Sequence, residues 1–130
     1  MIVLDTHAWF WWVNAHERLG RAARGAIEEA DSVGVPSVCC WELARLAELG
    51  RLQFERGVDA WLRAALGHER AVSLPLDAET AVAAARLDRK RFPSDPADRF
   101  IYATAVQHGA RLATADTAIS AFDPARTIWK

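Results

Sequence analysis

Five short, largely apolar runs are spaced along this 130-residue chain, and longer helical segments separate them. The runs occupy residues 1–4, 32–35, 71–74, 111–114 and 127–129. Short strands that alternate with helices are typical of βαβ units, which build parallel sheets. We therefore expect an α/β fold in which residues 1–130 form one domain, with a mostly parallel central sheet of about five strands flanked by helices.

Four acidic residues follow these runs at positions that such a fold would bring together. Asp5 comes directly after the first run, and Asp116 comes soon after the fourth. Glu42 lies in the second turn of the helix after the second run, and Asp98 lies in the first turn of a later helix. Right-handed crossovers place the carboxyl ends of all parallel strands at one edge of the sheet, where ligands bind. The four acids are therefore predicted to converge there.

Local helix chemistry offers a second explanation for three of these positions. Asp95, Pro96 and Asp98 match the N-cap, the first helical position and the third helical position of one helix. Asp5 and Asp116 each precede a helical segment and are also suited to capping it. These acids could thus stabilise helix starts without taking part in chemistry, and the local pattern leaves both roles open.

Glu42 differs because it lies inside its helix. It shares one predicted helix face with Val38, Leu46 and Leu49, which would make that face apolar. A carboxylate on a buried face needs a partner or a metal ion. The alternative is that Glu42 lies at the edge of the helix and pairs with an arginine.

The predicted acidic cluster indicates a divalent metal. Four carboxylates at one place do not all remain ionised unless a cation offsets their repulsion. Hard oxygen ligands without a matching set of Cys or His favour Mg²⁺ or Mn²⁺. These metals support phosphoryl chemistry by activating water and by stabilising the displaced oxygens.

Composition sets the broad class of the protein. The formal net charge of −1 argues against a general polyanion-binding chain. No apolar run approaches the roughly 20 residues that a membrane helix needs, and the N-terminus lacks the features of a signal peptide. The two cysteines, Cys39 and Cys40, are adjacent and are predicted to be free thiols, which suits the reducing cytoplasm. We expect a cytoplasmic protein that does not associate with membranes.

The first predicted helix carries four consecutive aromatic residues, Trp9, Phe10, Trp11 and Trp12. A helix that is apolar all round is not stable when it is exposed on its own. We expect these side chains either to lie in the core or to form an exposed surface for a partner.

Four short motifs occur in order along the chain: LDTH at residues 4–7, WELA at 41–44, DPADR at 95–99 and TAD at 114–116. Together they resemble the motifs of PIN-domain ribonucleases, and in particular those of the VapC toxins of type II toxin–antitoxin modules. The resemblance implies a divalent-metal-dependent endoribonuclease that cleaves single-stranded or looped RNA with metal-activated water.

The resemblance also implies roles for individual residues. Asp5, Glu42, Asp98 and Asp116 correspond to the acidic quartet that binds the Mg²⁺ or Mn²⁺ and performs catalysis. Thr114 corresponds to a nearby hydroxyl that orders the site.

Two further residues and two partners complete the resemblance. Asp95 matches a less constant acid of the family and is expected to cap its helix, whereas Arg99 is expected either to hold the RNA backbone or to form an ion pair on the helix flank. The family implies a small VapB-like antitoxin whose C-terminal segment lies across the acidic groove. It also implies a toxin homodimer.

Two other functions compete with this interpretation. A receiver-like signalling domain also gathers acids and Mg²⁺ at strand ends, but it needs paired acids after the first strand and a lysine after the last. In this chain Asp5 stands alone and no late lysine precedes Lys130. A catalytically silent PIN-like binding domain is the second alternative, and the presence of all four acids argues against it.

Overall fold

Five strands form one sheet in the computed structural model, which describes residues 1–130. The strands are β1 (Ile2–Leu4), β2 (Val33–Pro36), β3 (Ala71–Leu74), β4 (Arg111–Ala113) and β5 (Thr127–Ile128). They pair in the order β3-β2-β1-β4-β5, and every pair is parallel. The predicted α/β fold with a parallel sheet of five strands is therefore confirmed.

Seven helices connect and cover these strands. They are α1 (Thr6–Val13), α2 (Arg21–Glu29), α3 (Ser37–Glu48), α4 (Val58–Leu66), α5 (Ala78–Ala85), α6 (Pro96–Gln107) and α7 (Thr117–Phe122). Helices α3 and α6 are each followed by a glycine with positive φ, 71° at Gly50 and 60° at Gly109. Glycine adopts this conformation readily, and it ends the helix. No helix of the structure has both the length and the apolar character needed to span a membrane.

The strand order reverses next to β1. From β1 the chain moves outward through β2 to β3 on one side, and it then crosses to β4 and β5 on the other side. In sheets of this kind the crevice at the reversal, outside the carboxyl ends of the strands, is the usual ligand site. The carboxyl ends of β1 and β4 meet there, with Leu4 opposite Ala113.

The core lies on both faces of the central strands. All three residues of β1 are buried, as are all four of β2, which explains why these runs are apolar rather than alternating. Edge strand β3 is less covered, and its Val72 is exposed. The central strands therefore form a rigid base directly beneath the crevice.

Helix α3 corrects one prediction. Its buried side chains are Cys39 and Leu43, whereas Leu49, expected on the apolar face, is 52% exposed. The packing of α3 against the sheet and α1 thus uses a face turned by one residue from the predicted stripe. Val38 packs at the border of the core rather than within it, and Glu42 is half-buried at the edge of the contact.

The aromatic run of α1 is mostly used within the chain. Trp9 is completely buried, and Phe10, Trp11 and Trp12 are half-buried against the core. Trp61 of α4 packs edge-on to Trp9, with ring centroids 5.0 Å apart. These side chains were predicted to lie either in the core or on an exposed partner surface. The structure shows packing in or against the core, and none of the four residues is fully exposed.

Candidate active site

A cavity of about 560 Å³ opens at the crevice between β1 and β4. Five carboxylates line it, and they are Asp5, Glu42, Asp95, Asp98 and Asp116. The structure therefore brings together the four acids that the sequence predicted to converge, and it adds Asp95 beside them.

Asp5 and Asp116 are held in place by the helices that follow them. One carboxylate oxygen of Asp5 accepts a hydrogen bond from the backbone N–H of Ala8, at 2.8 Å, and caps α1. Asp116 caps α7 in the same way, through the backbone N–H of Ile119 at 2.9 Å. Capping orders these carboxylates at the cavity wall, so the structural role and a chemical role are compatible.

Buried Thr114 connects the same two acids. Its hydroxyl accepts a hydrogen bond from the backbone N–H of Asp116, at 3.1 Å. Burial raises the pKa of Asp5, while hydrogen bonds from Thr114 and from the Ala8 N–H oppose that rise. The negative charge of Asp116 adds to the increase in the Asp5 pKa. Thr114 thus stabilises the ionised form of an acid that burial disfavours.

Asp98 projects from the first turn of α6. Burial is the largest cause that raises its pKa to about 7, and the negative charges of Asp95, Glu42, Asp116 and Asp5 contribute to that rise in decreasing order. Asp98 is therefore the carboxylate on which repulsion from the other acids acts most clearly.

Asp95 is the N-cap of α6. Its side chain accepts a hydrogen bond from the backbone N–H of Ala97, at 2.9 Å, as the sequence predicted. Its position at the wall of the cavity means that it also adds negative charge beside Asp98.

Glu42 is bound by a hydroxyl and not by an arginine. Its carboxylate accepts a short hydrogen bond from the side chain of Thr6. Burial raises the Glu42 pKa, Thr6 opposes the rise, and Asp95 contributes to it. The one salt bridge of the chain joins Arg126 to Asp123, so the alternative of a Glu42–arginine pair is wrong for this structure.

Arg99 has a role that the sequence did not indicate. Its guanidinium donates hydrogen bonds to the carbonyls of Pro93, Ala84, Leu87 and Asp88, at 2.9–3.3 Å. These carbonyls lie at the end of α5 and in the loop before α6. Arg99 does not line the cavity, and it stabilises this connection instead of forming an ion pair.

Sequence reasoning missed several residues of the cavity wall, among them Thr6, which holds Glu42. Trp11 lies beside the acids, and Arg18 is the one arginine or lysine that lines the cavity. Arg18 is in the loop between α1 and α2, so no helix or strand periodicity marks it. His7, exposed on the first turn of α1, also lines the cavity and packs against Trp11 with ring centroids 5.4 Å apart.

The donor set fits a hard divalent cation. In this structure no three of the Asp, Glu, His or Cys side chains are close enough to form a ready-made metal site. The carboxylates nevertheless face one cavity without ion-pair partners, and three of them have raised pKa values. Carboxylate oxygens in this number are the ligands that Mg²⁺ and Mn²⁺ prefer.

Comparisons with known proteins identify the family of the chain. A family model described as PIN domain matches residues 2–123. Ribonuclease VapC22 of Mycobacterium tuberculosis is 43% identical over 131 aligned residues, which cover 98% of each protein.

Two solved structures share the fold at low identity. A chain of a toxin–antitoxin complex from Klebsiella pneumoniae is 18% identical with a TM-score of 0.70, covering 98% of this chain and 96% of that one. A chain of VapBC2 from Rickettsia felis, bound to a DNA fragment from its promoter, is 16% identical with a TM-score of 0.70, covering all of both chains.

Proposed function

Because the chain belongs to the PIN domain family, we propose that it is a Mg²⁺- or Mn²⁺-dependent endoribonuclease and the toxin of a type II toxin–antitoxin module. One observation carries the proposal: carboxylates from four separate parts of the chain line a single cavity and lack ion-pair partners. The similarity to a protein named as a ribonuclease supports RNA as the substrate.

Asp5, Glu42, Asp98 and Asp116 are the residues that would hold the metal ion. A bound divalent cation supplies Lewis-acid chemistry, because it lowers the pKa of water and stabilises negative charge on the phosphate oxygens. The protein contributes the fixed positions of the ligands and the negative charge that attracts the cation.

The chain's own residues orient this ligand set. Thr6 holds Glu42, and Thr114 together with the α1 and α7 N-termini holds Asp5 and Asp116. Hydrogen bonds of this kind fix the direction of a ligand carboxylate and are themselves important for metal affinity. Arg18 lines the same cavity, and its guanidinium is suited to a phosphate group of the bound RNA.

The proposed partner is a small VapB-like antitoxin. Solved structures that share the fold include toxin–antitoxin complexes, which supports this part of the proposal. A cavity with five carboxylates and one cation favours a basic segment, because each new positive charge relieves repulsion among the acids. The homodimer expected from the resemblance stays a prediction, which sedimentation of the purified chain would test.

Cleavage of RNA by the purified chain tests the enzymatic part. We expect cleavage with Mn²⁺ or Mg²⁺, none in excess chelator, and products with 5′-phosphate and 3′-hydroxyl ends. Undiminished cleavage in chelator would contradict the metal mechanism.

In cells, expression of the chain alone should slow growth, and a co-expressed small partner should relieve the effect. Mapping tRNA and rRNA ends covers the case of a narrow target.

The competing functions are separated by the same assay. The match to the PIN domain model over residues 2–123 excludes the alternative of a receiver-like signalling domain. A catalytically silent binding domain predicts that the chain binds RNA and a partner but never cleaves. The presence of every expected carboxylate at the cavity favours the active enzyme.

A further inference from the structure

A second cavity, which we call the flanking cavity, adjoins the acidic one. Its volume is about 680 Å³, and it lies between α3 and the start of α6. Glu42 and Asp95 line both cavities, so the two form one continuous path across the carboxyl edge of the sheet. A chain-like ligand bound at the acids would therefore extend directly into the flanking cavity.

The most conspicuous side chain of the flanking cavity is Trp41, which is 57% exposed. It precedes Glu42 on α3 and points away from Cys39 and Leu43, the residues that anchor this helix in the core. Core packing therefore does not account for a tryptophan at this position. Exposed aromatic rings beside a nucleic-acid site commonly stack on unpaired bases.

Two arginines accompany Trp41 in the flanking cavity. The Arg45 guanidinium lies over the Trp41 ring, 5.5 Å from its centroid, and Arg51 also lines the cavity. Neither forms a salt bridge, since Arg126 is the only arginine of the chain that does. Both are exposed and are therefore free to contact a ligand.

Charge explains why a strand would need this second cavity. The acidic cavity repels phosphate groups, and its single cation is Arg18. A polyanion held there must gain favourable contacts beside the cluster, and arginine is well suited to phosphate because of its planar array of donors. Arg45 and Arg51 supply positive charge in the flanking cavity, which Glu42 also lines.

We infer that the flanking cavity binds a nucleotide of single-stranded RNA next to the bond that is cleaved, with its base on Trp41 and its neighbouring phosphates on Arg45 and Arg51. The inference rests on the proposed ribonuclease function and adds where the strand lies. An interface between two copies of the chain is the competing use of an exposed tryptophan. Only three of the nine residues that line the cavity are hydrophobic, which favours a polar, charged ligand.

Equilibrium binding of a fluorescent ten-nucleotide single-stranded RNA tests the inference. The measurement uses Asp98→Asn protein with Mn²⁺, so that cleavage does not interfere. Trp41→Ala in this background should weaken binding by about 5- to 150-fold, the range for loss of one stacked base. Val82→Ala, which removes another exposed apolar side chain, is the matched control and should leave binding unchanged.

The arginines are tested by salt dependence. Arg45→Gln and Arg51→Gln should each weaken binding and reduce the slope of log K against log salt by about 0.7, the value for one phosphate contact on a single strand. Arg21→Gln is the control, because Arg21 is exposed on α2 and lines neither cavity. Unchanged slopes for both cavity variants would overturn the phosphate contacts.

Abasic substitution identifies the stacked base. Removing the base at one position of the RNA should weaken binding to the parent protein but not to the Trp41→Ala variant, and Trp41→Phe should restore the sensitivity. Equal sensitivity in parent and Trp41→Ala protein at every position would overturn the inference. So would a Trp41→Ala protein that binds RNA normally but sediments as a smaller species, because Trp41 would then be an interface residue.

Failure of this inference and failure of the proposed function give different results. If the wild type cleaves RNA and the Trp41→Ala variant binds RNA normally, only the RNA-binding role of the flanking cavity is contradicted. If the wild type fails to cleave RNA with any divalent metal but its RNA binding depends on Trp41, only the proposed nuclease activity is contradicted.

Discussion

Asp5 and Asp77 begin their helices with the same local structure. Each is an N-cap, and each accepts a hydrogen bond of 2.8 Å from the backbone N–H three residues later, at Ala8 and Thr80 respectively. Their electrostatic states are opposite. Burial raises the pKa of Asp5, whereas hydrogen bonds from Gln107 and from the Thr80 N–H lower the pKa of exposed Asp77.

The difference comes from where each helix starts relative to the sheet. Asp5 follows the central strand β1, beside the reversal of strand order, where Asp116 approaches it from β4. Asp77 follows the edge strand β3 and faces solvent, with Gln107 as its side-chain partner. One sequence pattern thus produces a candidate metal ligand in one place and a simple helix cap in another.

RNA cleavage gives the largest expected contrast between the two regions. Asp5→Asn and Asp98→Asn should each reduce the cleavage rate by roughly 100-fold or more, as for other groups that stabilise transition-state charge. Asparagine caps helices about as well as aspartate, so the Asp5 variant should remain folded. Asp98 is not the cap of α6, and its replacement removes a charge that the other acids repel, so the Asp98 variant should also remain folded. Asp77→Asn is the matched control, with no expected effect. Full activity of folded Asp98→Asn would leave Asp98 as a helix residue only.

Metal-free stability as a function of pH should show the next largest effect. The folded-state pKa of Asp98, about 7, exceeds the ordinary aspartate value of 3.8, so the folded protein binds more protons than the unfolded chain between these values. The free energy of unfolding should therefore fall as pH rises from about 4 to 7. At pH 8 the free energy of unfolding of Asp98→Asn should therefore exceed that of the wild type by about 1–2 kcal/mol, after allowance for solvent screening.

Denaturant unfolding in chelator at pH 4 and pH 8 measures this difference. The wild type and Asp98→Asn should be similar at pH 4 and should diverge at pH 8, with the variant more stable. A wild type whose stability rises over this range, with no gain in the variant, would show that the acids are not repelling each other.

Metal-induced stabilisation isolates Glu42. At free Mn²⁺ of about ten times Kd, linkage adds roughly 1.4 kcal/mol, a shift in melting temperature of about 3–5 °C for a chain of this size. Glu42→Gln retains an acceptor for Thr6 and removes one negative charge. The variant should be at least as stable as the wild type in chelator and should lose most of the shift. A destabilised variant with an unchanged shift would exclude Glu42 from the metal site.

Removal of the Asp77 cap should have the smallest effect. Asp77→Ala should lower the melting temperature by a few degrees at pH 7 and leave RNA cleavage and the Mn²⁺ shift unchanged. Because the folded-state pKa of Asp77 is lowered, its contribution is present above the unfolded pKa and is lost as pH falls. Melting curves at pH 7 and at pH 2.5 check this, and the difference between the variant and the wild type should be smaller at the lower pH.

Local chemistry was sufficient to predict the strands and the caps. The β-branched and apolar runs identified all five strands to within one or two residues, and Asp95 and Pro96 marked the start of α6. Because parallel crossovers carry strand ends to one edge, the same runs predicted the meeting of Asp5 and Asp116. The catalytic role of the acids stays a prediction.

Tertiary packing decided what each long side chain does. Arg99, beside Asp98 in the sequence, turns away to bind carbonyls at the end of α5 and just after it, while Arg18, which no pattern marks, lines the acidic cavity. The rotation of α3 about its axis buries Cys39 and leaves Trp41 in the flanking cavity. Periodicity specifies backbone conformation and the approximate buried face of an element. The partner of a flexible arginine or a surface tryptophan depends on how separate elements meet, and local sequence does not encode that.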